Sequence, residues 1–315
     1  MATRAPSTVC QASSEKMSVA ITGATGFVGS RLTAKLASQG HKVKVLTRDV
    51  SKAKSKLPYP GVEVFGPADW SKAIAGATGV VNLAGEPIAT RWTPELKSQI
   101  MTSRIGTTRK LVDALNALPE GSRPRVFVSS SAIGYYGVSQ TASFNEDSTP
   151  ITSDYLSQVC VQWEAAASAA PKDVRTVILR TGIVLAREGG ALAKMLPIFQ
   201  IFAGGPLGTG KQWMSWIHRD DLVELIVDTL QNTAYVGVFN ATAPKPVRMA
   251  EFCSTLGALM GRPSWLPVPD FALNTLLGEG AMVVLEGQKV LPTKTQQVGF
   301  NFKYSDISTA LKSVL

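Results

Sequence analysis

Three glycines spaced three residues apart, Gly23, Gly26 and Gly29, form the pattern in this chain that points most directly to chemistry. The first permits a tight turn, the second lets a phosphate approach the backbone, and the third lets a helix pack closely on a strand. N–H groups at the start of the following helix attract an anion. The spacing predicts a dinucleotide-binding turn containing Thr25 and Phe27, and an ordinary strand–turn–helix is the alternative interpretation.

A position at the end of the second predicted strand, two residues beyond Leu46, distinguishes the two nicotinamide dinucleotides. An acidic residue there binds the ribose 2′-hydroxyl of NAD and repels a 2′-phosphate. This chain has Arg48 at that position, and its planar guanidinium matches a phosphate, so the sequence predicts NADP. Asp49 follows immediately, and a contact between its carboxylate and the ribose is the alternative.

These residues lie at the ends of predicted strands that alternate with helices along the chain. The predicted strands cover residues 19–22, 42–46, 61–65, 79–83, 124–131, 174–179 and 236–240. The fourth strand runs into Leu83, Ala84 and Gly85, and the small residues there leave room for a ribose across the strand end. Alternation favours parallel pairing, with ligands at the carboxyl ends of the strands. The predicted fold class is α/β, a Rossmann-type doubly wound parallel sheet with a smaller, mostly helical C-terminal lobe.

The alternation of predicted strands and helices breaks near Gly189 and Gly190, which predicts a domain boundary. Residues 17–190 are expected to form an NADP-binding domain, to which 214–243 return. Residues 191–213 and 244–315, richer in proline, glycine and helix, are expected to form a lobe on the substrate side. Residues 1–16 are rich in alanine, serine and threonine, which predicts a transit-peptide remnant or a disordered start.

Composition excludes several classes of function. The 315 residues carry a net charge of +9, and no apolar run reaches the ~18 residues of a membrane span. Basic residues cluster over 42–56 without interleaved aromatic side chains, which disfavours nucleic acid. A solvated surface, a polyanionic cofactor or peripheral contact with an acidic membrane remain open. The 3 cysteines and 2 histidines are dispersed and predict neither disulfides nor a metal site.

Longer motifs resemble those of a known family. They are the stretches 82–85 (Asn-Leu-Ala-Gly), 129–137 (Ser-Ser-Ser-Ala-Ile-Gly-Tyr-Tyr-Gly), 163–164 (Trp-Glu) and 180–182 (Arg-Thr-Gly). The chain resembles the extended short-chain dehydrogenase/reductases, and among them the atypical nucleotide-sugar-epimerase-like family and its plant giant-chloroplast members, which are linked to plastid division. The resemblance implies a nicotinamide cofactor and a contact between Asp69 and the adenine edge, although Asp69 also suits a helix N-cap.

The resemblance also implies catalytic residues. The family pattern places a serine after the fifth strand and a Tyr-x-x-x-Lys motif on the next helix, where the cation lowers the tyrosine pKa. Ser131 and Tyr155 match, but Val159 occupies the lysine position. A buried helix residue is therefore the alternative for Tyr155. Tyr136 is a second candidate proton donor, with packing at the sheet edge as its alternative.

Two functions follow from the sequence. The first is an NADP-dependent oxidoreductase or epimerase acting on an unknown small polar or nucleotide-linked substrate. The second is an NADP-binding scaffold or regulator with little turnover, whose partners would be plastid division proteins. The plant-type resemblance and the acid-poor start predict the chloroplast stroma, with contact to the inner envelope face as a further expectation.

Overall fold

The computed structural model of the protein describes residues 15–151 and 154–315, so most of the predicted transit-peptide segment lies outside the described residues. The strands are β1 (Ser18–Thr22), β2 (Lys42–Leu46), β3 (Val62–Phe65), β4 (Gly79–Asn82), β5 (Val126–Ala132), β6 (Ser143–Phe144), β7 (Arg175–Thr181), β8 (Ile183–Ala186), β9 (Trp213–Met214), β10 (Trp216–His218), β11 (Gly237–Ala241), β12 (Val247–Arg248) and β13 (Lys289–Val290). The helices are α1 (Gly29–Ser38), α2 (Val50–Lys56), α3 (Trp70–Ile74), α4 (Pro94–Met101), α5 (Thr107–Ala117), α6 (Tyr155–Ser168), α7 (Gly190–Gln200), α8 (Arg219–Gln231), α9 (Met249–Met260), α10 (Asp270–Leu277), α11 (Met282–Leu285), α12 (Thr293–Gln297) and α13 (Ile307–Val314).

A parallel sheet of 7 strands in the order β11-β7-β5-β4-β1-β2-β3 forms the centre of the molecule. All neighbouring pairs in it are parallel. The strand order reverses between β1 and β4, where doubly wound sheets bind their ligands at the carboxyl ends of the strands. The predicted fold class is confirmed, and the predicted strands agree with the sheet to within about two residues at each end.

Helices cover both faces of the sheet because side chains alternate along each strand. Ile21 of β1 packs with Leu32 of α1 and Leu222 of α8 on one face. Its neighbour Ala20 packs with Leu111 of α5 on the other face. Burial of one such leucine stabilises the fold by about 1.5–3 kcal/mol, so the two layers together hold the strand ends in place.

A second apolar cluster joins α7, α9 and α13, where Phe199, Phe252 and Leu311 surround Trp216. The later part of the chain also returns to the carboxyl edge of the central sheet. There β13 pairs with β6 in a separate two-stranded sheet, and the Gln288 side chain donates to the Ile133 carbonyl oxygen just after β5. This return places a segment from α11 to β13 over the carboxyl edge of the sheet. No helix among the described residues has the length and apolarity needed to cross a bilayer.

Candidate active site

The turn between β1 and α1 depends on two glycines. Gly23 has a φ of +69°, and a Cβ on it would lie 2.5 Å from the Leu83 carbonyl oxygen. A Cβ on Gly29 would lie 2.2 Å from the Gly23 carbonyl oxygen. Val28, at the N-cap position of α1, has no polar side-chain atom to accept from the first N–H groups of the helix. The turn therefore presents backbone donors to an anion, as phosphate-binding turns do.

A groove crosses this turn along the carboxyl edge of the sheet. Its two halves have volumes of about 230 and 240 Å³. The two halves share four of their lining residues, namely Gly23, Gly26, Leu83 and Gly85. A Cβ on Gly26 would approach the Gly23 carbonyl oxygen to 3.1 Å and would occupy space where the halves meet. An extended dinucleotide lying across the turn fits this shape, with one nucleotide in each half.

Arg48 lies in the first half of the groove and Asp49 does not. The Arg48 side chain is 84% exposed, and its Nη2 lies 3.2 Å from Oε1 of Glu86 on the opposite wall. The Asp49 carboxylate instead accepts a hydrogen bond from the Lys52 N–H at 2.9 Å and caps α2. Asp49 thus caps α2 and does not line the groove, so Arg48 is the charged side chain after β2 that faces it.

Trp70 lines the first half of the groove beside Asp69. The Asp69 carboxylate pairs with Lys72 at 3.0 Å and does not itself line the groove. The Trp70 indole N–H is buried, with no hydrogen-bond partner among the described residues. An aromatic ring at this position can stack on an adenine. Trp70 was not predicted as a site residue; the signal for it is an aromatic side chain at the start of α3, the helix that follows the third strand.

The second half of the groove contains Phe27, Ser130 and Ser131 at the end of β5. The buried Ser131 hydroxyl donates to Oε1 of Glu164 at 2.6 Å. Glu164 in turn accepts two hydrogen bonds of 2.8 Å from the Arg180 guanidinium. Burial by itself would lower the pKa of Arg180, but its hydrogen bonds to the Glu164 carboxylate and the attraction between the two charges together have the larger effect and raise it. Because the Ser131 proton is engaged with Glu164, its lone pairs are the part available to a ligand.

Tyr136 is not placed where a substrate could reach it, which corrects its sequence-based assignment. Its side chain is fully buried, and its hydroxyl donates to Asn240 Oδ1 at 2.7 Å and accepts from Arg180 Nη1 at 3.0 Å. Burial raises the pKa of Tyr136 to about 12. Tyr136 therefore contacts Arg180, and its buried hydroxyl proton is bonded to Asn240 and does not reach the groove.

Tyr155 likewise points away from the groove. Its hydroxyl donates to the Lys97 carbonyl oxygen at 2.6 Å, and its ring packs edge-on against Trp92. Burial raises the pKa of Tyr155, the opposite of what a general base requires. The packing role, given above as the alternative for this residue, describes the observed contacts.

A cavity of about 260 Å³ adjoins the second half of the groove, and Thr181 lines both. Arg104 reaches it from a π-helical turn over residues 102–106. The Arg104 guanidinium donates to the carbonyl oxygens of Ile100 and Glu86 and lies so close to Gly85 that a Cβ there would meet its Cζ at 3.2 Å. Arg104 therefore lies between the cavity, which it lines, and Gly85, which lines the groove.

Two further groups with reactive side chains remain neutral. The Cys160 thiol lines the cavity, and burial raises its pKa to about 12, so it carries no thiolate near neutral pH. His218 caps α8 by accepting from the Asp220 N–H at 3.1 Å, and burial lowers its pKa to about 4. Neither group supplies a charge at the groove.

Comparison with known proteins identifies the family. The pattern of the NAD dependent epimerase/dehydratase family matches residues 19–241, which include both halves of the groove. The chain belongs to this family. A domain of unknown function, DUF1731, matches residues 268–314, which include the segment over the sheet edge.

Relatives of this epimerase/dehydratase chain span nearly its whole length. The Arabidopsis thaliana protein "Epimerase family protein SDR39U1 homolog, chloroplastic" is 53% identical over 98% of this chain and 89% of its own length. The Bacillus subtilis epimerase family protein YfhF is 38% identical over 95% of this chain and 98% of its own length.

Two solved structures have the same fold. A crystal structure of the human epimerase family protein SDR39U1 with NADPH is 35% identical with a TM-score of 0.84, and the match covers 95% of this chain and 99% of that one. A UDP-glucuronic acid 4-epimerase from Bacillus cereus has a TM-score of 0.76 at 18% identity, over 95% of this chain and 98% of that one. At that identity the second likeness shows the fold alone.

The Glu164–Arg180 pair and Thr181 were missed as site residues, although their motifs were noted. The signal for the pair is a glutamate on a largely apolar helix and an arginine after an apolar run of a strand, because a charge is rarely buried without a partner. Their side chains are 10% and 4% exposed. The sequence marked both positions without indicating that they meet beneath Ser131.

Proposed function

We propose that the protein is an NADP-dependent oxidoreductase that interconverts an alcohol and a carbonyl compound. The observation that carries the proposal is the groove over the glycine turn, which adjoins a cavity at Thr181. The reactive end of a dinucleotide in that groove would lie beside a substrate in the cavity. The human relative that was crystallised with NADPH supports this choice of cofactor.

The cofactor would be held by the residues that line the two halves of the groove. The glycine turn, with Thr25 and Phe27, would bind the pyrophosphate through backbone N–H groups, and Leu83, Ala84 and Gly85 would face the riboses. Arg48 would bind the 2′-phosphate. Trp70 would stack on the adenine beside Asp69.

Ser131 would transfer the proton. When bound, the nicotinamide supplies or accepts the hydride. In the oxidative direction the substrate hydroxyl would give its proton to Ser131 Oγ, whose own proton would pass over 2.6 Å to Glu164 Oε1. Arg180 holds the Glu164 carboxylate in place through its two hydrogen bonds. This route requires no tyrosine with a lowered pKa and no lysine at position 159.

Calorimetry and an absorbance assay together test the proposal. The wild-type protein should bind NADPH and NADP⁺, and it should change NADPH absorbance with a panel of alcohols and carbonyl compounds. Ser131→Ala should bind the cofactor as the wild type does and lose turnover by about 10²–10⁴-fold, the usual contribution of a positioned acid or base. Absence of cofactor binding in the wild type would remove the enzymatic proposal entirely.

A second candidate function is a cofactor-binding scaffold with little turnover, which acts through plastid division proteins. It is favoured by the engaged hydroxyls of Tyr136 and Tyr155 and by valine at the lysine position. Normal cofactor binding without turnover on any substrate of the panel, together with recovery of plastid division proteins on the immobilised protein, would favour the scaffold.

We also propose the chloroplast as the location, on the stromal side and with contact to the inner envelope. The name of the Arabidopsis relative, which describes that protein as chloroplastic, supports the organelle. A fluorescent fusion of the full-length protein tests it, and a uniformly cytosolic signal would count against it.

A further inference from the structure

We propose that the substrate is a compact, uncharged and mostly apolar alcohol or carbonyl compound, and not a nucleotide-linked sugar. The inference rests on the proposed function, because it concerns the cavity beside the cofactor groove. It departs from the small polar or nucleotide-linked substrate that the sequence suggested. The evidence is the lining of the cavity, its size and its charges.

The wall of the cavity is largely aliphatic. Val159, in the position of the family lysine, is only 2% exposed and forms part of it. Further aliphatic side chains complete the wall from the sheet edge, α6 and the returning segment: Ile133, Leu156, Ile183, Met282 and Val283. A sugar, which needs a hydrogen-bond partner for nearly every hydroxyl, would leave polar groups unpaired against this wall.

The cavity is also small. Its volume of about 260 Å³ lies below the ~300–1,000 Å³ of pockets that enclose a drug-sized ligand. Gln288 fixes this size, because its side-chain amide donates to the Ile133 carbonyl oxygen at 2.7 Å and thereby ties the returning segment to the end of β5. The cavity is about as large as one half of the groove, so it admits a compact molecule but not a nucleoside diphosphate together with its sugar.

The charges at the cavity do not suit a diphosphate. Among the residues that line it, Arg104 is cationic, but its guanidinium is already bonded to two carbonyl oxygens. The carboxylates of Asp154 and Glu286 also line it and would repel a diphosphate, which is recognised by several charge-assisted donors. Two further cations, Arg248 and Lys289, lie over the Trp213 ring at 3.7 and 5.1 Å without lining the cavity.

The oxygen of an apolar substrate would lie at the junction of cavity and groove. Thr181 and Ser131 supply hydroxyls there, at the carboxyl ends of neighbouring strands. In the oxidative direction the alcohol carbon would give up a hydride, which the bound NADP⁺ would accept, and the hydroxyl proton would go to Ser131 and on to Glu164. The rest of the substrate would remain among the aliphatic side chains.

Calorimetry with cyclohexanol, cyclohexanone and UDP-glucose tests the inference on cofactor-free and NADP⁺-loaded protein. Cyclohexanol or cyclohexanone should bind, and UDP-glucose should not. Val159→Phe fills the cavity and should weaken cyclohexanone binding at least about tenfold, or ~1.4 kcal/mol, with an unchanged NADPH Kd. Val161→Phe is the matched control: Val161 lies on the same helix but is 42% exposed, so this variant should bind both ligands as the wild type does.

The outcomes separate the inference from the proposed function. If the wild-type protein does not bind NADPH, the proposed function is wrong. If NADPH binds but UDP-glucose also binds or is turned over, the inference is wrong and the function stands. Equal binding of cyclohexanone by Val159→Phe and the wild type also overturns it, as does no binding of either six-membered ring. Should Val159→Phe fail to fold in thermal melts, Met282→Trp fills the same cavity from the opposite wall.

Discussion

Replacement of Arg48 should convert the protein from an NADPH binder to one that hardly distinguishes the two cofactors. The Arg48 side chain is 84% exposed and contacts Glu86 at 3.2 Å across the groove. A bidentate contact with a charged phosphate contributes about 1.5–3 kcal/mol, which corresponds to a preference of about 10- to 150-fold. Arg48→Ala should lose most of that preference and leave NADH binding nearly unchanged.

The same geometry predicts an opposite effect at Glu86. Its carboxylate competes with the phosphate for the Arg48 guanidinium, and an exposed ion pair of this kind contributes about 0.2–1 kcal/mol. Glu86→Gln should therefore bind NADPH about 1.4- to 5-fold more tightly than the wild type. The gain should shrink as salt is added, because both side chains face solvent.

Calorimetric titration of NADPH and NADH against wild type and variants measures both effects. Lys54→Ala is the control, since it removes an equal charge from the exposed surface of α2, outside the groove lining, and should leave the preference intact. Retention of the preference in Arg48→Ala would refute the role of Arg48. So would equal affinity of the wild type for both cofactors.

Three further variants test other parts of the site. Gly26→Val should abolish binding of both cofactors in the same titration, because a side chain would occupy the point where the halves of the groove meet. Glu164→Gln breaks a buried ion pair and should lower the free energy of unfolding in urea by about 3–5 kcal/mol, against about 1 kcal/mol for Ser131→Ala. In the folded protein His218 has a pKa of about 4, whereas in the unfolded chain its pKa is about 6.5. As the pH falls from 7 to 5, the unfolded state therefore binds a proton that the folded state does not. The free energy of unfolding of the wild type should fall by about 2 kcal/mol over this range. His218→Asn, which keeps a cap but cannot titrate, should lose less in urea melts at the two pH values.

The sheet and its cofactor edge could be predicted because their signals are local. Each strand is a short apolar run, and Gly23 and Gly29 occupy positions where any side chain would collide with backbone. The residues next to a tyrosine in the sequence do not show in the same way where its hydroxyl points. Tyr155 bonds a carbonyl on α4, 58 residues away in the chain, and nothing in the Tyr-x-x-x-Val pattern shows which way the ring turns.

The cavity could not be predicted because its walls meet only after the chain has folded. Gln288 bonds Ile133 across 155 residues of sequence, and Ser215 donates to the Gln288 carbonyl oxygen at 2.8 Å. These contacts place Met282 and Val283 opposite Val159. Sequence patterns describe each segment separately, so the volume that the segments enclose becomes known only from the structure.

Valine at position 159 changes two properties of the site at once. It removes the cation that would lower the pKa of Tyr155, and it adds an aliphatic surface to the wall of the cavity. A lysine there would place a charge in an apolar enclosure at a cost of several kcal/mol unless a partner were supplied. The protein instead has a buried ion pair beneath Ser131, between Glu164 on the same helix and Arg180 on β7. An apolar substrate and a proton route through Ser131 are thus consistent with each other, because Val159 supplies aliphatic wall for the first and the second needs no lysine at that position.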